Sequence, residues 1–181
     1  MKKHITGILC LVLAIAVCLP LVACTGQGSS STDESDALKA QIESTLSQLQ
    51  ACEGEPFELA QQAVAGYGDT LQSHLDWLGI TDAELVRAYL DGFTYEVGDV
   101  SVTGASAQAR LTLKLRSATG IAKSYLTSGK VNEAEGKQAL LDAISQASAE
   151  DSDVTLYISK NDAGEWDVTS ALSSTLGRAC L

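Results

Sequence analysis

The run Ala105-Ser106-Ala107-Gln108-Ala109-Arg110-Leu111-Thr112-Leu113-Lys114-Leu115-Arg116 alternates without a break. Its odd positions are all apolar, and its even positions are all polar or charged. Successive side chains of a strand point to opposite faces, so this period of two predicts a strand with one dry face and one wet face. Upstream, Phe93, Tyr95 and Val97 alternate in the same way, and the parity then shifts through Gly98 to Val100 and Val102. A glycine at a parity shift predicts a bulge, and Thr103-Gly104 predicts the turn between the two strands. Downstream, Val154, Leu156 and Ile158 alternate, Asn161-Asp162-Ala163-Gly164 reads as a turn, and Trp166 and Val168 read as a return strand. The sheet is therefore expected to have about four antiparallel strands.

The segments around these strands carry helical spacing. Leu38, Ile42, Leu46 and Leu49 predict a helix over 36–50. Pro56 suits a first helical position, and a second helix is expected from there to the break at Gly66-Tyr67-Gly68. Asp69 or Thr70 can cap a third helix, with Leu71, Leu75 and Leu78 on one face and Gly79 as its stop. Thr81 and Glu84 have the spacing of a capping box, and Ile80 and Leu85 that of a hydrophobic staple, which predicts a helix over 82–91. Between the strand pairs, helices are expected near 121–127 and from Asn132 to about Ala149, the latter with Glu135 as box partner. The class is α+β: N-terminal helices followed by an antiparallel sheet, with helices packed on one face.

The extreme N-terminus is of another kind. Lys2 and Lys3 precede an apolar span from Ile5 to Leu19 that Pro20 ends. A basic start and an apolar span of this length read as a signal peptide. Leu21-Val22-Ala23-Cys24 follows and resembles the bacterial lipobox. That resemblance implies a diacylglycerol on the Cys24 thiol, cleavage just before it, and attachment to a cell membrane on its extracytoplasmic face. Two acyl chains hold a protein to a bilayer stably where one does not. The expected organisation is a signal peptide over 1–23, a flexible Gly/Ser/Thr tether over 24–35, and one domain over 36–181.

Processing also bears on the cysteines and the charge. Of five cysteines, Cys10 and Cys18 would leave with the signal peptide and Cys24 would be acylated. Cys52 and Cys180 remain, and in an oxidising compartment they permit one disulfide; the alternative is two free thiols. The loop such a bridge closes is long enough that chain entropy alone would contribute about 5 kcal/mol. Without Lys2 and Lys3 the chain keeps 10 basic residues against 23 acidic ones, a net charge of −13. That balance opposes binding to a phosphate backbone, so no nucleic-acid partner is expected.

A second resemblance rests on Gly92-Phe93-Thr94-Tyr95-Glu96-Val97-Gly98-Asp99-Val100, the alternating strand after it, and Gly164-Glu165-Trp166-Asp167-Val168. These stretches look like those of small uncharacterised bacterial lipoproteins with a cystatin-like or nuclear transport factor 2-like cone fold. The resemblance implies a curved sheet around a cone-shaped pocket.

Catalytic motifs are sparse. Cleavage would leave a single histidine, His74, expected as an ordinary helix residue. Gly66-x-Gly68 has no preceding strand and no third glycine, so it does not read as a nucleotide loop. Glu150-Asp151-Ser152-Asp153 and Asn161-Asp162 lack the spacing of a calcium loop and read as solvated turns. No metal and no cofactor is expected. Two functions remain: an envelope binding module for a protein, peptide or wall component, or a small-molecule or acid-base site in a pocket with Tyr95, Trp166 and a buried Asp99 as its residues.

Overall fold

A computed structural model of the chain describes residues 30–129 and 133–179. Four helices come first: α1 (Ser30–Gln50), α2 (Gly54–Ala65), α3 (Asp69–Leu78) and α4 (Asp82–Leu90). A hairpin of β1 (Thr94–Thr103) and β2 (Ser106–Arg116) follows, then α5 (Ala118–Thr127), α6 (Glu133–Gln146), β3 (Ala149–Ser159) and α7 (Val168–Ala179). The sheet is antiparallel in the order β1-β2-β3. The class is α+β, with the N-terminal helices ahead of the sheet.

The deciding alternation holds from Ser106 on, while Ala105 falls in the turn and is exposed. Ala107, Ala109, Leu111, Leu113 and Leu115 are buried, while Ser106, Gln108, Arg110 and Lys114 face solvent. The pairing of β1 with β2 slips between Val97 and Val100, where the glycine and the parity shift place a bulge. A Cβ at Gly98 would meet Arg110 Cβ and the Arg110 carbonyl oxygen at 3.4 Å, an ordinary contact distance. Thr103 pairs with Ser106 across a two-residue turn, with Gly104 at φ 63°.

Two helices cover the dry face. α1 lies along β1 and brings Leu38, Ile42, Leu46 and Leu49, all fully buried. α7 lies along β3 and adds Val168 and Leu172 to the same core. A second, smaller core joins the helices away from the sheet: Leu75 and Leu78 of α3, Ile80, Ile121 of α5, and Leu140, Ala143 and Ile144 of α6.

The helix ends follow their local chemistry. Thr81 Oγ1 accepts the Glu84 amide at 3.2 Å, and Ile80 and Leu85 meet in the smaller core as the staple requires. The Glu84 carboxylate turns to Lys137 Nζ at 2.9 Å, tying α4 to α6. Gly79 ends α3 at φ 64°, with the Ile80 amide on the Leu75 carbonyl and the Gly79 amide on the Asp76 carbonyl. The same two-bond closure ends α1, through Glu53 to Gln48 and Cys52 to Leu49, but there the left-handed position is held by Cys52 at φ 56°.

Three expectations are revised. The first helix starts at Ser30 rather than at 36, and Lys160 Nζ holds Glu34 on its early turns at 2.6 Å. Among the described residues the sheet has three strands rather than about four. The Asn161–Gly164 turn forms, but Trp166 makes one bridge to Lys160 and the chain then enters α7. Asp167 stops the strand, because its Oδ1 accepts the Ser170 amide at 3.2 Å and caps that helix. Third, the sheet does not enclose a cone-shaped pocket: its dry face is filled by α1 and α7. Cys24, the Asn132 cap and Cys180 lie outside the described residues.

Candidate functional site

An apolar hollow lies among the helices. It has a volume of about 510 Å³. Its floor is made where the two cores approach each other, by Leu49 of α1, Leu115 of β2, Val86 and Leu90 of α4, and Leu140 and Ile144 of α6. α2 lines it through Pro56, Leu59, Ala60, Ala63 and Val64, and α5 through Ala118, Ile121, Ala122 and Tyr125. Leu71, His74 and Leu75 of α3 line it, and Thr169, Leu172, Ser173 and Leu176 of α7 do so as well. Ala63 and Ala122 line the hollow and are also exposed, so the groove opens between α2 and α5. Tyr67, 51 % exposed, stands at that mouth.

No aspartate, glutamate, lysine or arginine is among the lining residues. Its polar groups are few. His74 Nε2 and Tyr125 Oη are hydrogen-bonded at 3.1 Å. Trp77 stacks on the His74 ring at 5.8 Å, and the Tyr125 ring meets it edge-on at 5.9 Å. Partial burial pushes the Tyr125 phenol above its usual range. Tyr89 Oη donates to the Arg116 carbonyl at 3.0 Å.

The site residues expected from the sequence are not gathered here. Tyr95 is half-buried on the main core, tilted against Phe93, and its Oη donates to the Glu43 carbonyl at 3.2 Å. Asp99 is exposed, not buried. It sits on the bulge of an edge strand, where the extra residue has no partner across the ladder and turns to water. Trp166 lines a separate, polar cleft with Gln41, Glu55, Asn161, Glu165, Asp167 and Thr169, and Lys160 Nζ covers its ring at 4.6 Å from the centroid. An acid-base pair of Tyr95 with a buried Asp99 is therefore not formed.

His74 lies on the Leu71–Leu75–Leu78 side of α3 as expected, half-buried, and its neighbours make it a groove residue. The groove itself was not readable in advance. Its lining comes from all seven helices and from β2, and no single segment's pattern records that. Among the described residues no group of three His, Cys, Asp or Glu is placed to hold a metal ion, and no helix is long and apolar enough to cross a membrane. Cys52 has no disulfide partner among the described residues. Burial raises its thiol pKa, and the Arg87 charge works against that rise.

No protein-family model matches the chain. No curated protein matches it either. Among solved structures it is similar to the Bacillus subtilis candidate lipoprotein ycdA, with 16 % sequence identity and a TM-score of 0.43. The similarity covers 79 % of this chain and 55 % of that one, so the chain spans about half the length of the structure it resembles.

Proposed function

We propose that this chain is an exported lipoprotein, anchored through Cys24, whose folded body binds an apolar small molecule in the groove between α2 and α5. The groove carries the ligand part of this reading. Protein interiors are close-packed, and voids larger than a water molecule are few. A hollow of about 510 Å³ lies within the size range of small-molecule sites. Its lining has no charged side chain, which favours a ligand held by its hydrocarbon surface. The anchor part rests on the basic start, the apolar span and the Leu21-Val22-Ala23-Cys24 lipobox.

Each part has its own test. Cys24→Ala should leave the protein as an uncleaved precursor or release it from the membrane; a correctly cleaved variant that stays attached removes the anchor reading. A neutral apolar dye should bind the mature chain with a blue-shifted emission. Ala63→Trp and Ala122→Trp place a large ring at the exposed mouth and should each abolish that signal in folded protein. Undiminished dye binding in both variants removes the groove as the site.

A further inference from the structure

We infer that the groove takes an uncharged single-chain amphiphile, with the hydrocarbon tail inside and one hydrogen-bonding head on the His74–Tyr125 pair. This rests on the reading of the groove as a ligand site and adds the chemistry of the ligand.

Charge is the first argument. A carboxylate or phosphate head requires a cation or converging amides, and an ammonium head requires a carboxylate or an aromatic cage. The lining offers no Lys or Arg to an anion and no Asp or Glu to an ammonium, and the His74 and Tyr125 rings are engaged with each other and with Trp77. A net charge of −13 on the mature chain disfavours an anion further.

The polar pair is the second argument. His74 Nε2 and Tyr125 Oη are bonded to each other, which leaves one group to spare in either tautomer. If the phenol donates to the imidazole, its own lone pairs stay open to accept. If the imidazole donates, the phenol O–H is free to donate. A hydroxyl, which both donates and accepts, is served in both cases. Trp77 stacked on His74 restricts the ring and fixes where the head would lie.

Size argues for the tail. A volume of about 510 Å³ gives room for a medium-length chain with a small head. Residues 24–29 read Cys-Thr-Gly-Gln-Gly-Ser, too polar to fill the groove themselves.

The test uses the mature chain from position 24, with Cys24→Ala so that no acyl group competes, and with Trp166→Phe so that Trp77 is the sole tryptophan. Trp77 fluorescence is followed against dodecanol, dodecane, dodecanoate and dodecyltrimethylammonium. Dodecanol should bind tightest. Tyr125→Phe should weaken it roughly three- to tenfold, the worth of one hydrogen bond, and leave dodecane unchanged. His74→Gln, which keeps a donor and an acceptor, should retain part of the preference. Equal binding of dodecanol and dodecane, indifferent to Tyr125→Phe, overturns the head assignment but leaves the groove as a ligand site. Tighter binding of either ion overturns the uncharged head. No uptake of any probe by folded protein, or a stable dimer that takes up none, removes the ligand-site reading itself.

Discussion

At the scale of single residues, Arg116 joins elements that the backbone alone does not. Its guanidinium donates from Nε to the Asp91 carbonyl at 3.1 Å, from Nη1 to the Ser145 and Ala147 carbonyls at 2.7 and 3.3 Å, and pairs with the Asp91 carboxylate at 3.2 Å. The two α6-end carbonyls sit at the negative end of that helix, where a cation is favoured. Hydrogen bonds to a charged group contribute about 1.5–3 kcal/mol, so Arg116→Ala should lower stability by about 2 kcal/mol in urea denaturation. Arg116→Lys should recover little, since an ammonium cannot reproduce the planar fork. Sequence alternation places Arg116 on the wet face of β2 but says nothing of these partners, which come from α4 and α6. Cys52 is the second residue of note. A non-glycine residue in the left-handed region costs roughly 1 kcal/mol. In reduced protein Cys52→Gly should therefore gain up to about 1 kcal/mol, and a measured loss would show that thiol packing outweighs the backbone. The pairing with Cys180 remains a proposal: thiol labelling of non-reduced exported protein should find both cysteines protected, and free reaction of both refutes it.

At the scale of elements, the signals that were legible are those written within one segment. The capping box and staple of α4, the glycine stop of α3 and the alternation of β2 each need only a few neighbouring residues. Thr81→Ala should cost about 1 kcal/mol, because the Glu84 amide then loses its acceptor. The loss is read by denaturation, and Thr81→Ser should restore most of it. The element that escaped is α7. Val168, Leu172 and Leu176 have helical spacing, but Trp166 and Val168 alone read as the return arm of a hairpin after the Asn161–Gly164 turn. A single residue decides between the two: Asp167 caps the helix with its side chain, and a capping side chain competes with a ladder. The start of α1 escaped for a different reason. Residues 30–35 are small and polar, with nothing in their own pattern to hold a helix, and Lys160 reaches Glu34 from the far end of the chain. The groove escaped for the same kind of reason, since no local pattern records how far apart seven helices stand.

At the scale of the whole molecule, charge sets the clearest limit. The mature chain should not bind a random DNA duplex at physiological salt, because −13 opposes the counterion-release term that supplies non-specific affinity. Micromolar binding in a filter or anisotropy assay would show a local basic stripe strong enough to overcome it. The sheet adds a further consequence. It is open along β1 and along most of β3, and an open edge is a template for a neighbour's strand. If the proposed anchor holds, copies share one surface and meet at a raised effective concentration. The bulge kinks the first edge, and Glu150, Asp151 and Asp153 charge the second. Those carboxylates place like charges along the second edge and so oppose the addition of a neighbour's strand.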